Sequence, residues 1–419
     1  MASTYLTSGN LSSAGNQKKW TISFWVKRAK LGVTQGILDY SVNSTNYYNF
    51  TFKSTDGLTM FNNDGGTVSY ELEPSMKFRD TSGWYHIVHQ YDSEQATESN
   101  RAKLWVNGVQ QSSWTNENYP SQGANTKIPN SGYPINIGRQ YRANTNVQYF
   151  DGSLSHFHFC DGYAYSASDF GQTDANGVWK INTSPSVTYG TNGFFILKDG
   201  NSVTDQSGNS NNFTVGGGTL TNTEDSPSNV FCTLNALDFS GGALSNGNLT
   251  QTNSSACNTN GTLGMVDGKY YWEVKMVSAS GGVIGIGDGT AKLGTALSDL
   301  DKIYGYSPNG NKYENTTGTS YGATYTTGDI IGVAFDADTR ELEFYKNGVS
   351  QGVAFTVDAG FTYLPQFHLS NASINVNFGN GYFGTTAVAS AGTNASGIGI
   401  FEYDVPTGYT ALSTKGLNL

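Results

Sequence analysis

The sequence predicts an all-β chain, two β-sandwiches of jelly-roll type in series with a short irregular connector, and three observations carry that prediction. Glycine is abundant, at 52 of 419 residues, while charged residues make up only 13%, about half the usual quarter. Aromatic residues are also 13%, with 26 Tyr, 22 Phe and 7 Trp, and burying such rings offsets the entropy lost on ordering the chain. Short alternating runs recur between Gly- and Asn-rich turns, and no stretch carries a long helical period with caps.

In the first half, Trp20 to Lys27 sets Ile22, Phe24 and Val26 on one face. Gly36 to Tyr40, Tyr47 to Lys53 and Gly57 to Phe61 follow as short strands. Gly83 to Tyr91 alternates Trp84, His86, Val88 and Gln90 against Tyr85, Ile87, His89 and Tyr91. Ala102 to Gln110 is a hairpin, because Asn107-Gly108 between apolar runs suits a type I′ turn with positive φ at both central residues. Ile135 to Gly138 and Gly152 to Phe159 complete a sandwich spanning 1–172.

Residues 173–229 read as a connector with short strands, broken by Gly216-Gly217-Gly218 and Ser226-Pro227-Ser228. The second sandwich spans 230–385. Its strands are Lys269 to Val277, Gly282 to Gly287, Asp329 to Phe335, Glu341 to Lys346, Val349 to Phe355, Tyr363 to Phe367 and Ile374 to Phe378. Asn347-Gly348 marks its hairpin, and the glycines of Gly282 to Gly287 suit close backbone approach. Residues 386–419 hold a loose Gly/Ala/Ser-rich stretch and a final strand, Phe401 to Leu412, expected to dock back.

A net charge of −10 disfavours nonspecific nucleic-acid binding, which draws on Lys and Arg, and a polybasic membrane anchor. No apolar run reaches the length of a membrane span. Met1 to Asn10 lacks the apolar stretch of a secretory signal. Cys160, Cys232 and Cys257 are odd in number and widely spaced, so plain thiols are expected rather than a disulfide or zinc framework.

The first half resembles the concanavalin A-like lectin/glucanase superfamily in its laminin-G-like form. The resemblance rests on Trp20 to Lys27, on Gly83 to Val88 with Leu104 to Val109, and on Phe150-Asp151-Gly152-Ser153-Leu154 with Phe157-His158-Phe159. It implies a two-sheet jelly roll with ligand loops at one edge or a concave binding face. The second half is similar to a SPRY domain through Tyr271-Trp272-Glu273-Val274, Gly285-Ile286-Gly287, Gly305-Tyr306 and the run from Gly328 to Gly352. That resemblance implies a bent sandwich that binds partners through loops. The two together, with Asp161 to Gly171 and the ending Val405-Pro406-Thr407-Gly408-Tyr409, resemble virion proteins of tailed bacteriophages. Such proteins assemble in the host cytoplasm and leave by lysis.

Catalytic motifs are missing. A glucanase-like E-x-D-x-x-E, an H-E-x-x-H and a phosphate-binding loop are all absent from the sequence, and the G-x-S-x-G strings at 318–322 and 348–352 form no nucleophile elbow, since no helical pattern follows either. Glu71 and Glu73, like Glu341 and Glu343, share an i, i+2 face and are expected as solvated outer-face residues. His86, His89, His156, His158 and His368 are expected in structural or surface roles. Asp205 to Asn209 and Asn62 to Gly65 carry oxygens of the kind that hold Ca²⁺. Such clusters are ordinarily turns, so no cofactor is expected.

Sugar recognition uses an aromatic platform with amide or carboxylate groups for hydroxyls. The loop-placed candidates are Tyr47, Tyr48, Trp114, Tyr119 and Tyr141 in the first half, with Asn116, Asn118 and Arg142 nearby. In the second half they are Asn309, Tyr313 and Tyr321. The expectation is a noncatalytic virion protein, tail fibre, appendage or head decoration, displaying glycan- or protein-binding sandwiches for host attachment. Its partners would be other virion proteins and a host-surface glycan or protein, in a homo-oligomer, without nucleic acid or membrane insertion. A polysaccharide depolymerase and a purely structural component are the alternatives.

Overall fold

The computed structural model describes residues 3–142, 145–198, 203–253, 255–289 and 303–419, with Arg142 through its backbone alone. The chain divides into two compact units, Met1–Asn222 and Thr223–Leu419. Both are β-sheet proteins, and the described helical turns are single 3-10 turns such as Glu98–Asn100. No described helix is long and apolar enough to cross a membrane.

The first unit runs β1 (Tyr5–Ser8), β2 (Lys19–Arg28), β3 (Gln35–Asn43), β4 (Asn46–Phe52), β5 (Leu58–Asp64), β6 (Thr67–Pro74), β7 (Tyr85–Asp92), β8 (Ala102–Val106) and β9 (Val109–Gln110). It continues with β10 (Trp114–Asn118), β11 (Ile135–Ile137), β12 (Gln140–Arg142), β13 (Thr145–Val147), β14 (Gly152–Asp161), β15 (Gly171–Thr173), β16 (Trp179–Ile181), β17 (Phe194–Ile196) and β18 (Phe213–Gly217). An eight-stranded sheet, β10-β6-β5-β4-β3-β11-β1-β18, faces a six-stranded sheet, β17-β14-β2-β7-β8-β9. Between them Phe24 stacks on Phe157 at 4.9 Å and meets the Phe50 edge at 5.2 Å. Trp20 stacks on Tyr91 at 5.1 Å.

The stretch read as a connector is structural in this unit. β17 pairs with β14, β18 pairs with β1, and Phe194, Ile196 and Phe213 enter the core. Each sheet edge would otherwise present unpaired N–H and C=O groups. The unit therefore ends at Asn222 rather than near residue 172. A flap from 162 to 192 covers the outer face of the six-stranded sheet, burying Val88, Trp105, Cys160 and Phe170 beside Tyr165, Trp179 and Tyr189. That layer makes β2 and β7 buried on both faces, where alternation alone describes one.

The second unit runs β19 (Leu234–Ser240), β20 (Ala243–Ser245), β21 (Thr250–Thr252), β22 (Ala256–Gly261), β23 (Lys269–Ser278), β24 (Gly282–Gly287), β25 (Ile303–Tyr306), β26 (Asn311–Glu314) and β27 (Thr317–Ser320). Then follow β28 (Ile330–Asp336), β29 (Glu341–Lys346), β30 (Val349–Thr356), β31 (Leu364–Ser370), β32 (Ser373–Asn377), β33 (Tyr382–Phe383), β34 (Thr386–Ala387) and β35 (Thr410–Ala411). The sheets are β19-β22-β31-β24-β25-β26-β27 and β20-β21-β32-β23-β28-β29-β30. Trp272, Val274, Ile286, Phe335, Phe344 and Phe367 fill the space between them.

Of the expected final strand, only β35 pairs, parallel to β23 at Tyr270 and Tyr271. The residues before it form an irregular strap, with Phe401 and Val405 packed in a cluster with Tyr271. The stretch expected to be loose is tied down, since the Thr393 N–H and hydroxyl both donate to Asp404 Oδ1, at 2.7 and 2.8 Å. Beneath the strap, Glu273 accepts the Glu402 and Tyr403 N–H groups at 2.8 and 2.9 Å.

Both Asn-Gly turns take the type I′ geometry, with φ of 47° and 79° at Asn107 and Gly108 and 49° and 78° at Asn347 and Gly348. Each Asn Oδ1 also accepts a neighbouring strand N–H, from His86 at 2.7 Å and from Ile330 at 2.8 Å. The three cysteines are free, buried thiols.

Candidate functional site

The period-2 pattern of the eight-stranded sheet sends Leu38, Tyr40, Phe50, Phe52, Met60 and Leu72 into the core. It sends Asp39, Asn49, Phe61 and Glu71 outward. Strand register aligns these outward residues in one row, Thr7–Asn136–Asp39–Asn49–Phe61–Glu71–Asn118. Ser41 with Tyr47 and Thr51 with Thr59 sit on the same face. The outer face is thus a polar surface with aromatic rings set into it.

The β12–β13 hairpin roofs one half of that face. Gly36 allows the approach, because a Cβ there would come to 2.5 Å from the Arg139 backbone. Under the roof, the Arg139 guanidinium lies 3.5 Å from the Tyr5 ring centre and 5.3 Å from that of Tyr141. Its Nη2 donates to Asn136 Oδ1 at 2.8 Å. Asp39 accepts Ser41 Oγ at 2.8 Å and the Asn49 amide. Asp39, Asn49 and Asn136 are buried, so this half is a structural network.

The other half, across β4, β5, β6 and β10, stays partly exposed. Tyr47 meets Phe61 edge-on at 5.5 Å. Asn116 Nδ2 lies 3.3 Å from Glu71 Oε1 and 3.1 Å from Glu73 Oε2, bridging the two carboxylates. Lys53 Nζ sits 2.7 Å from Glu73 and Lys77 Nζ 3.7 Å from it. Thr59 Oγ1 donates to Glu71 at 3.3 Å. Glu73 is only 2% exposed, which corrects the expectation of a solvated pair; its two lysines and Asn116 supply the partners that a buried carboxylate requires. Aromatic faces beside amides and charge-balanced carboxylates suit a ligand rich in hydroxyls.

The predicted site residues scatter across this frame. Tyr47 stands on the open face. Tyr48, its neighbour, points the opposite way: it is 0% exposed and lies edge-on to Trp20 at 5.3 Å, so it is a core residue. Trp114 and Tyr119 flank the open half and pack partly into the core. Tyr141 belongs to the roof, and the Arg142 side chain lies outside the described residues.

In the second unit Asn309 is exposed, with its Oδ1 accepting Asn311 N–H at 3.0 Å. Tyr313 rests with Val283 and Ile303, whereas Tyr321 packs on the main core edge-on to Tyr306 at 5.3 Å and donates to Gly352. The two tyrosines thus join separate apolar clusters. Phe61, Lys53 and Glu73 went unrecognised as site residues; alternation puts Lys53 in phase with Tyr47 in its own run, but only the β4–β5 register sets Phe61 opposite Asn49 on that face.

All five histidines are buried, so of the structural and surface roles expected for them only the structural one fits. His86 and His158 lie under the flap, with His156 close to both. Trp179 Nε1 donates to His86 Nδ1 at 3.0 Å, so His86 Nε2 carries the hydrogen toward Ser23 Oγ, also at 3.0 Å. Burial, with His156 nearby, pushes His86 down to about 3. His158 Nδ1 lies 2.9 Å from Tyr189 Oη, and burial holds its pKa well below the usual histidine range. Ser23 is buried with His86, as is Ser155, whose Oγ lies 2.7 Å from His156 Nδ1. No group of three or more His, Cys, Asp or Glu side chains among the described residues is placed to hold a metal.

The oxygens of the calcium-like stretches face protein donors. Asp205 accepts N–H groups of Phe195, Ser207 and Asn211 at 2.8 to 2.9 Å, and Asp64 pairs with Lys127 Nζ at 2.7 Å.

Comparison with known proteins divides along the same two units. Residues 1–169 match the concanavalin A-like lectin/glucanases superfamily, and residues 269–381 match the SPRY domain. The chain is 31% identical over 115 residues to the ATP-dependent RNA helicase Ddx1 of Drosophila melanogaster, covering 27% of this chain and 16% of that protein. It is 35% identical over 88 residues to the E3 ubiquitin-protein ligase RKP of Arabidopsis thaliana, covering 20% and 7%. It therefore spans only a minor part of the length of these relatives. Among solved structures, the SPRY domain of human HERC1 aligns at 20% identity and TM-score 0.27, over 36% of this chain and 95% of that one. A heptameric SAP-like pentraxin from Limulus polyphemus aligns at 16% identity and TM-score 0.32, over 51% and 89%.

Proposed function

For a chain that carries a concanavalin A-like segment and a SPRY segment, we propose a noncatalytic recognition protein that holds a glycan on the open outer face of its first unit. The observation that carries this reading is the Tyr47–Phe61 pair set beside Asn116 and the Glu71, Glu73 and Lys53 network on one sheet face. Rings cover the C–H face of a sugar, and the amide and carboxylate groups take its hydroxyls. The SPRY segment adds a second surface, for protein.

The setting we propose is the particle of a tailed bacteriophage, as tail fibre, appendage or head decoration, with attachment to the host surface as the task. The pairing of the two domain types and the low charge support that setting. Repeated copies in a homo-oligomer would let weak single sites act together. The protein would be found in the virion, assembled in the host cytoplasm and released by lysis, without a cofactor.

A second reading has its own observation. Glu71 and Glu73 share a face, bridged by one amide nitrogen, and paired carboxylates are what a glycoside hydrolase employs. Lys53 and Lys77 both pair with Glu73, so its oxygens already face protein donors, which favours binding. A glycan array with reducing-end release scored on each hit separates the two. Binding without release, lost in Tyr47→Ala, supports recognition. Release abolished in Glu73→Gln establishes the depolymerase. Mass spectrometry of purified particles tests the setting.

A further inference from the structure

A separate cleft of about 730 Å³ opens in the first unit, lined by Asn16, Gln17, Lys18, Asn125, Asp161 and Tyr163 among others. Its volume lies in the range of small-ligand sites. None of these residues belongs to the sheet face described above.

The floor of the cleft is tied together by hydrogen bonds. Asp161 Oδ1 accepts the Asn16 N–H at 2.7 Å, and Oδ2 accepts the Asn192 N–H and amide at 3.1 and 3.2 Å. A side chain at Gly15 would strike the Asp161 carboxylate, and one at Gly190 its carbonyl. The carboxylate is therefore committed to the protein, and two glycines let the loops close around it.

The groups left for a ligand are different ones. Asn16 Oδ1 is held by the Lys18 and Lys19 N–H groups at 3.0 Å each, which leaves its amide N–H₂ without a protein acceptor. The Gln17 and Asn125 amides and the Lys18 ammonium make no side-chain bond within the described residues. The adjacent Lys19, by contrast, pairs with Asp92 and Glu94 at 3.5 and 3.3 Å. Tyr163 is 41% exposed and stacks on Tyr165 at 6.0 Å with 15° between the rings. Tyr165 is in turn anchored, its Oη accepting the Thr188 N–H at 2.8 Å. The buttressed ring loses little freedom on binding, and the unengaged amides and ammonium beside it supply the donors.

We propose that this cleft is a second saccharide site, one that takes a neutral sugar. Tyr163 supplies the platform, and Asn16, Gln17, Asn125 and Lys18 take hydroxyls. Neutral rather than acidic sugars follow from charge. Lys18 and Asp161 balance within the cleft, and the chain as a whole carries −10, which repels polyanions.

The test is an array of immobilised neutral and uronate glycans, probed with the full chain and with Tyr163→Ala, Asn125→Ala and Tyr47→Ala variants of unchanged thermal unfolding. The expected result is a set of neutral glycans whose binding falls about tenfold, near 1.4 kcal/mol, in Tyr163→Ala and Asn125→Ala but not in Tyr47→Ala. If every bound glycan depends on Tyr47 alone, this cleft is not a site while the sheet-face reading stands. If only uronates respond to Tyr163→Ala, the neutral assignment is overturned. If no glycan binds, both readings fall.

Discussion

Trp179 donates its indole N–H to Nδ1 of His86 at 3.0 Å, while its ring lies against the Gly108 turn so closely that a Cβ there would collide with it. One side chain of the flap thus reads both a histidine tautomer and a hairpin. The second unit repeats the arrangement, with Tyr403 of the strap seated on Gly348.

The first consequence concerns pH. His86 is held neutral, pushed down to about 3 by burial, so below pH 6.5 the unfolded chain binds a proton that the folded chain does not. The His86 contribution to stability is therefore full above pH 6.5 and declines as pH falls toward 3. At pH 4.5 His86 alone accounts for a loss of about 2 to 3 kcal/mol, and His89, lowered to about 4 by burial, adds to it. Hydrogen exchange of the first unit between pH 7.5 and 4.5 should show the flap opening first, with a weaker slope in His86→Gln.

Glu273 responds with the opposite sign. Burial raises it to about 7, even though two strap N–H groups, Tyr271 and Asn377 donate to it. A raised carboxyl contributes stability below its unfolded value and loses that contribution as pH rises through about 7. Protection of the strap from exchange should therefore fall as pH rises from about 4.5 to about 7 and level off above it. Glu273→Gln should flatten that dependence and loosen the strap at all pH values, because an amide N–H₂ would face backbone donors.

The Asn-Gly turns can be separated into strain and collision. Gly108→Ala and Gly348→Ala meet both a positive φ and an aromatic ring, whereas Gly352→Ala, at φ 82° with open space around it, meets strain alone. Strain costs about 1 to 2 kcal/mol. The first two variants should exceed the third by about 1 kcal/mol or more in denaturant unfolding, since overpacking adds that much.

Tyr48→Phe should leave glycan binding unchanged and raise stability by about 1 kcal/mol. Its hydroxyl is buried without a hydrogen-bond partner among the described residues, and its ring serves the core. Titration of wild type and variant against any glycan that the array identifies measures the first point, and urea unfolding the second.

Much of this architecture was legible in the sequence, because alternation and turn chemistry are local. Trp20 to Lys27 and Lys269 to Val277 announced central strands, and Asn107-Gly108 and Asn347-Gly348 announced I′ hairpins, since φ > 0 at two successive residues restricts the residue types allowed. The same alternation separates Tyr47 from Tyr48, so one candidate belonged to the surface and its neighbour to the core.

What the sequence determined by itself was therefore the fold class, most of the central strands and the two Asn-Gly turns. Tertiary structure alone decided which faces stay open. The β12–β13 hairpin closes half of one sheet face over Asp39 and Arg139, the flap covers His86 and His158, and the strap covers Glu273. Each of these coverings joins residues far apart in the chain, as Trp179 does with His86 and Tyr403 with Gly348. A period of two states that a residue faces outward, but not whether another segment lies on top of it.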